Sequence, residues 1–481
     1  MNKKSIKKNY IYNLSYQVLI LFTPLITTPY ISRVLGADGI GEVSFTESVA
    51  SYFVLFATLG ITTYGQREIS YVQENRKKRS VVFWNTKVLE FITSTIAIIL
   101  YVIFSFHQKN VNLSLIFTLN ILAVFVDVTW LFQGLEEFGK IVLRNIIVKI
   151  LNIAYLFLVI RSSNDVNLYA FGLCFFTFVS NVSLWVYLPK YVDRISVKQL
   201  NPFKEIPVVI SLFIPTIAIS IYTVLDKTMI GIITKDTYEN GYYEQALKIS
   251  RMVLTTVTAL GTVMIPRIGY HFERKDINEV ERLMYRGYRF VWCIGTPLCL
   301  GLVMISSNFV PWFFGTGYER VSDLLKVLSF LILAIGINNV TGMQYLIPTK
   351  RQNLFTLTVA IGAVVNFILN CVLIRIFQSI GAAVASVVAE TVIAIVQLVF
   401  VRHELKPMMV LKEGIHYYCA GAAMAILLYI IERFLTSSFL NTVIMIVVGA
   451  FIYFGILIIM KDEFLISNLK AVLSKVINKL K

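Results

Sequence analysis

Between residues 11 and 460 the chain alternates long apolar stretches with short polar ones, and each apolar stretch runs for roughly 18 to 25 residues. A helix of that length crosses about 30 Å of hydrocarbon, whereas barrel strands would be about ten residues long and alternate in polarity. The pattern predicts about 14 transmembrane helices, at 11–32, 44–64, 82–105, 113–133, 144–161, 167–188, 207–233, 240–265, 287–306, 322–347, 354–375, 381–401, 415–432 and 441–460. The fold class expected is an all-α integral membrane bundle.

Lys and Arg are distributed unevenly over the connecting segments. Alternate segments form two sets, one with about 30 basic residues and the other with about 7 (Arg33, Lys109, Arg161, Lys235, Arg320, Arg375 and Arg433). The positive-inside rule makes the rich set cytoplasmic and puts both termini on that side of the membrane. Lys3, Lys4, Lys7 and Lys8 precede the first stretch, which is too long for a signal peptide and contains Pro24 and Pro29. At the other end Leu465, Leu469, Leu473, Val476 and Leu480 share one helix face opposite Lys470, Lys475 and Lys479, which fits either an interfacial helix or a solvated tail.

Composition agrees, with 57% hydrophobic and 15% charged residues and a mean hydropathy of +0.72. The net charge of +16 follows from topology and from contact with anionic headgroups of membrane lipids, so no nucleic-acid partner is expected. The five cysteines all fall inside spans without CxxC spacing, the four histidines are unclustered, and no glycine-rich phosphate loop occurs. No cofactor and no metal site are expected, and any energy coupling must draw on an ion gradient.

Short echoes link each span to the sixth one after it. Leu21-Phe22-Thr23-Pro24 returns as Leu212-Phe213-Ile214-Pro215, Leu59-Gly60 with Arg67 as Leu260-Gly261 with Arg267, Asp127-Val128-Thr129 as Asn339-Val340-Thr341, and Val159-Ile160-Arg161 as Leu373-Ile374-Arg375. An even offset gives both halves the same orientation, the arrangement of parallel repeats about an axis along the membrane normal. The expected organisation is a six-helix lobe at 1–206, a second at 207–402, helices 13 and 14 at 403–460 and a cytoplasmic amphipathic tail at 461–481.

The eighth span carries the most polar stripe. Glu244, Lys248, Arg251, Thr255, Thr258 and Thr262 recur every three or four residues and so share one helix face. A charge near the centre of a spanning helix costs roughly 2.5–3.5 kcal/mol on insertion scales, so these groups must be paired or wet. Two readings stand: a packing salt bridge from Glu244 to Lys248, or the wall of a water-lined cavity, which Arg251 and the threonines favour. A weaker stripe on the second span holds Ser44, Glu47, Ser51, Thr58 and Thr62, and alignment of Gly60 with Gly261 superposes Glu47 on Lys248. Asp127 in the fourth span and Asp226-Lys227 late in the seventh add charge, the latter pair open equally to interfacial snorkelling. Glu47, Asp127, Asp226 and Glu244 are the candidates for H+ or Na+ coupling, because desolvation makes carboxylate protonation sensitive to which side is open. Arg33, ending the first span, is either a bidentate phosphate ligand or an interfacial anchor.

Pro29-Tyr30-Ile31-Ser32-Arg33-Val34-Leu35-Gly36-Ala37 followed by Thr62-Thr63-Tyr64-Gly65-Gln66-Arg67-Glu68 resembles the polysaccharide-repeat flippases of the Wzx type. Trp130-Leu131-Phe132-Gln133-Gly134-Leu135-Glu136, Pro266-Arg267, Leu225-Asp226-Lys227 and Gly241-Tyr242-Tyr243-Glu244 are similar to that family as well. The resemblance covers helices 1 to 12. It implies two six-helix lobes like those of multidrug antiporters and lipid II flippases, and a cargo of undecaprenyl-diphosphate-linked oligosaccharide moved to the outer leaflet, ahead of a polysaccharide polymerase machinery. A basic residue matching Arg33 serves the cavity in the lipid II flippases, and helices 13 and 14 there offer a groove for the lipid tail. For such a cargo Arg33, Lys227, Lys248 and Arg251 are the candidates for the diphosphate, and Tyr242, Tyr243 and Thr255 for the sugar.

Two other function classes compete. A drug or small-cation antiporter on the same fold is disfavoured by the basic bias of the eighth span. A membrane enzyme, such as a sugar polymerase or acyltransferase, is disfavoured by short outer loops without paired carboxylates or a histidine-centred constellation.

Overall fold

The computed structural model describes residues 6–259 and 261–480, the side chains of 6–21, 197, 214–216, 218–223, 262–263, 471–473 and 475–480 excepted. The expected contributions of Lys3, Lys4, Lys7, Lys8, Thr262, Leu473, Lys475, Val476, Lys479 and Leu480 lie outside the described residues. Among those described, the regular structure is helical throughout. Among the described residues eleven helices are long and apolar enough to cross a membrane.

The difference from about 14 lies at three places. The spans expected at 11–32 and 44–64 run together in α1 (Ile6–Thr58), where a single kink replaces the expected connecting segment. Gly36 makes that kink with φ 70° and ψ 174°, a conformation reserved for glycine, and the limbs on either side remain helical. The second limb ends at Leu59 and Gly60, both at positive φ, before α2 (Ile61–Tyr71). The spans expected at 207–233 and 240–265 are not among the eleven: the first is helical as α8 (Ile206–Thr234), and the second is divided between α9 (Thr237–Thr258) and a following helix that begins at Gly261. In α9 the charges of Glu239, Glu244, Lys248 and Arg251 are the reason.

The contacts divide the chain into two compact units, 1–241 and 242–481. In the first, α1 packs on α3 (Arg76–Ser105), α4 (Val111–Phe125), α6 (Phe138–Val159) and α8, while α2 packs on α5 (Thr129–Gly134) and α7 (Val166–Ser183) on α4. α3 shows what kind of solvent the fold meets. Its Ile96, Ile99, Leu100 and Ile103 are all more than half exposed, whereas Lys87, Glu90 and Ser94 are wholly buried. Apolar groups outside and polar groups inside describe a helix facing hydrocarbon, and the chain is a multi-pass membrane protein.

The second unit holds the rest of α9, then α10 (Gly261–Glu273), α11 (Ile277–Phe290) leading through a π-helical turn into α12 (Thr296–Phe314), α13 (Glu319–Leu328), α14 (Leu331–Asn338) running into a π-helical segment Asn339–Leu346, and the hairpin α15 (Gln352–Phe377) and α16 (Ser379–Phe400). After the short α17 (Pro407–Lys412) come α18 (Ile415–Glu432), α19 (Phe439–Ile459) and α20 (Glu463–Leu480). Helices 13 and 14 of the sequence reading are α18 and α19, and both pack on α12. The seam is apolar along most of its length and hydrogen-bonded at one end, where Trp312 Nε1 donates to Thr442 Oγ1 (2.6 Å), Thr442 Oγ1 to Asn308 Oδ1 (2.7 Å), and Asn308 Nδ2 to the Thr436 carbonyl (2.9 Å). Hydrogen bonds of this kind hold helices together where lipid removes the hydrophobic drive.

Candidate functional site

The most concentrated buried charge in the first unit begins with an ordinary helix start. Asn75 caps α3 by accepting the Lys78 amide (3.0 Å), and the helix then carries Lys87 and Glu90 inward, one turn apart. Lys87 Nζ lies 2.7 Å from Glu90 Oε2, with both side chains at 0–1% exposure. Its second partner is the backbone carbonyl of Asp127, at 2.6 Å. The rings of Phe91 and Trp185 lie 5.1 and 5.9 Å from the ammonium.

That carbonyl is available because the expected fourth span is broken. α4 ends at Phe125, residues 126–128 are not helical, and α5 begins at Thr129. The Asp127 side chain accepts the Thr129 amide (2.9 Å), a local bond that competes with helix continuation. Three carbonyls around the break are satisfied by side chains: Ala123 by Asn181 Nδ2 (2.8 Å), Val126 by Trp185 Nε1 (2.7 Å) and Asp127 by Lys87. A discontinuous helix is tolerated at membrane depth only where protein groups or water meet its backbone in this way. Trp130 covers the break, stacked on Phe83 at 5.4 Å and lying against Gly65. A methyl group at Gly65 would stand 2.6 Å from the indole, so Gly65→Ala is expected to lower stability by about 1–3 kcal/mol, read as a lower melting temperature in detergent.

Of the residues singled out from sequence, those in the first unit are distributed as follows. Arg33 is exposed, three residues before the Gly36 kink. Thr228 Oγ1 donates to Ser48 Oγ (2.9 Å), which brings the Glu47 turn of α1 and the Asp226-Lys227 turn of α8 to one interface. Asp226 is buried there, while Glu47 and Lys227 are half-buried.

In the second unit Glu244 and Lys248 approach to 3.8 Å and remain partly exposed. Arg251 and Thr255 are exposed farther along the same stripe, the Thr255 hydroxyl bonded back to the Met252 carbonyl (2.6 Å). The two tyrosines separate. Tyr242 meets the Tyr318 ring edge to face at 6.1 Å, and Tyr243 is buried with its hydroxyl 3.5 Å from Ser386 Oγ. Ser386 in turn accepts from Asn366 Nδ2 (3.4 Å), and Asn370 Nδ2 donates to Asn366 Oδ1 (3.0 Å). Asn338 Nδ2 bonds the Glu390 carboxylate and its carbonyl one turn along α16.

Two buried features escaped the sequence reading: the Lys87–Glu90 pair and Glu390. Both leave a signal, a Lys and Glu at i and i+3 within an apolar run and a single carboxylate inside the span expected at 381–401. Farther along the second unit, Arg289 forms a two-pronged ion pair with Glu413 beside a cavity of about 470 Å³ that Lys412, His416, Lys461 and Asp462 also line. Among the described residues no group of three or more His, Cys, Asp or Glu side chains is arranged to hold a metal ion.

Residues 6–271 match the model of a family described as polysaccharide biosynthesis protein. The chain is 22% identical over 408 residues to the "Putative O-antigen transporter" of Escherichia coli (strain K12), covering 84% of this chain and 98% of that protein. In fold it is similar to the lipid II flippase MurJ in an inward closed conformation, with a TM-score of 0.70 and 16% identity over 94% of this chain and 99% of that one. It is also similar to an inward-facing multidrug resistance transporter of the MATE family, with a TM-score of 0.59 and 16% identity over 84% and 98% of the two chains.

Proposed function

Because the chain belongs to the polysaccharide biosynthesis protein family, we propose that it is a flippase for undecaprenyl-diphosphate-linked oligosaccharide repeat units, moving them across the bacterial cytoplasmic membrane for surface polysaccharide assembly. It works by alternating access, draws on an H+ or Na+ gradient, keeps both termini cytoplasmic and catalyses no chemical step. The observation that carries this reading is the face of α9, where Lys248 and Arg251 are accessible on a helix otherwise built into a membrane protein. A diphosphate with its sugars cannot enter hydrocarbon, so its carrier must supply a hydrated, cationic surface, while the isoprenoid tail stays in lipid. The E. coli relative's name, a putative O-antigen transporter, supports an O-antigen-like cargo.

Lys248 and Arg251 bind the diphosphate, with Arg33 and Lys227 as further basic groups for it. Tyr242, Tyr243 and Thr255 contact sugar. Glu47, Asp127, Asp226 and Glu244 are the carboxylates proposed to carry the coupling ion, and a polysaccharide polymerase is the partner that consumes the product. Replacing a coupling carboxylate by its amide leaves flipping that no longer answers to the gradient.

The test is leaflet accessibility. In liposomes holding a labelled polyprenyl-diphosphate oligosaccharide, the protein is expected to expose the glycan to a membrane-impermeant lectin or oxidant. The MATE-like fold supports a multidrug antiporter as the second reading. No exposure with several glycans under imposed proton and sodium gradients would favour it over the flippase.

A further inference from the structure

The buried Lys87–Glu90 pair has an uncharged counterpart in the second unit. Asn75 caps α3 through the Lys78 amide, and Asp276 caps α11 through the Glu279 amide (3.3 Å). Each cap lies the same number of residues beyond its glycine, Gly60 or Gly261, so one register runs through both caps and both helices. In that register Lys87 corresponds to Tyr288, Glu90 to Val291, and Thr86 and Ser94 to Gly287 and Gly295.

The second unit also ties this position to its irregular segment, through a side-chain hydroxyl rather than a backbone carbonyl, and without a charge. Tyr288, wholly buried, places its hydroxyl 2.8 Å from Thr341 Oγ1 in the π-helical segment. The echo of Asp127-Val128-Thr129 in Asn339-Val340-Thr341 puts that irregular segment where the first unit has its broken helix. A neutral donor is thus enough to brace this position. Burying an ammonium and a carboxylate costs desolvation that a tyrosine and a valine avoid, so architecture does not account for the charges.

A second observation points to a mobile charge. Thr86 Oγ1, Glu90 Oε1 and Ser94 Oγ follow one another a turn apart along one face of α3, all buried; neither hydroxyl has a hydrogen-bond partner, and besides Lys87 the Glu90 carboxylate has the neutral indole N–H of Trp130 as its neighbouring donor. Buried polar atoms are nearly always satisfied, and exceptions call for a reason. Glu90 has one oxygen on Lys87, while its other oxygen has no charged partner and lies on the helix face between two buried hydroxyls.

We propose that Glu90 is a proton-binding site, with Lys87 its fixed counter-charge, loaded and unloaded during the transport cycle. The part about the cycle rests on the transporter reading above; the binding of a proton does not. Loading adds H+ from water to the carboxylate oxygen that Lys87 does not hold and turns a neutral ion pair into a carboxylic acid beside an ammonium, a net gain of one positive charge. Lys87 keeps the Asp127 carbonyl and the rings of Phe91 and Trp185, and unloading returns the proton to water. The charges whose field reaches Glu90 are those of Lys87 and Asp127. The other elements packed on α3 carry, among their described side chains, Tyr30, Arg33, Asp38, Glu42, Glu47 and Tyr52 (α1), Tyr64, Arg67, Glu68 and Tyr71 (α2), and Lys204 and Glu205 in the turn Pro202–Glu205.

Infrared difference spectra of the full-length protein in detergent, taken between acidic and alkaline buffer, are the test. The wild type is expected to show a carbonyl band of a buried carboxylic acid that titrates, and Glu90→Gln to lose it. A wild type without such a band, or a Glu90→Gln spectrum identical to it, overturns the site. The double variant Lys87→Tyr with Glu90→Val, which installs the residues of the second unit, guards against misfolding of the single variant. It should keep the melting temperature, lack the band and flip glycolipid without response to an imposed proton gradient. A double variant that answers to the gradient as the wild type does would overturn the role in coupling. Wild-type protein that titrates but flips nothing would sink the flippase reading and leave the proton site standing.

Discussion

Lys87→Ala is expected to destabilise the protein by about 3–5 kcal/mol, the usual result of removing one partner from a buried ion pair. The substitution strands the Glu90 carboxylate at zero exposure, strips the Asp127 carbonyl of its donor at the α4–α5 break and leaves a cavity against Phe91 and Trp185. Three losses at one place act together, because the broken helix has no water from the bilayer to replace them. Removing both charges is different. With tyrosine and valine, the residues the second unit uses, the change is expected to stay within about 1–2 kcal/mol, since apolar replacement of buried ion pairs is often neutral or better. Melting temperature in detergent and protein level in the membrane separate the two cases. Equal loss in the single and double variants would mean that the charges themselves brace the fold.

Arg251→Ala is the substitution with the largest expected effect on transport. Arg251 is exposed on α9, so its removal should change stability by no more than about 0.5 kcal/mol and leave membrane levels as in the wild type. Hydrogen bonds from a guanidinium to a phosphate are worth about 1.5–3 kcal/mol each, and two of them lost would cut leaflet exposure by at least about 100-fold, effectively abolishing it. Arg251→Lys keeps the charge but not the planar fork, and is expected to fall between. Normal flipping by a well-expressed Arg251→Ala variant would remove this residue from the site.

The sequence exposed α9 and hid α3 for one reason. In the eighth span six polar residues repeat at helical spacing, five of them on α9, so the stripe is visible without knowing any neighbour. On α3 Lys87 and Glu90 interrupt an apolar run only briefly, and their weight comes from complete burial and from a carbonyl forty residues away. Asp127 was visible as a charge in a span, yet its structural part is played by its backbone and by a local bond to Thr129. Tyr242 and Tyr243 adjoin in sequence and end in different surroundings, because successive helical positions point about 100° apart.

By itself the sequence determined the helical membrane class, the approximate places of most spans, the echoes between the halves and the family resemblance, because apolar length and periodicity are local properties of the chain. The tertiary structure decided the rest. It joined two helical limbs directly through a kink at Gly36, opened the fourth span at residues 126–128, wound residues 339–346 into a π-helix, and tied α19 to α12 through Asn308 and Thr442. Each of these depends on which distant groups come near enough to satisfy a backbone carbonyl or share a hydrogen bond. In a bilayer, where no solvent can substitute, that proximity settles which polar residues are tolerated and which are available for function.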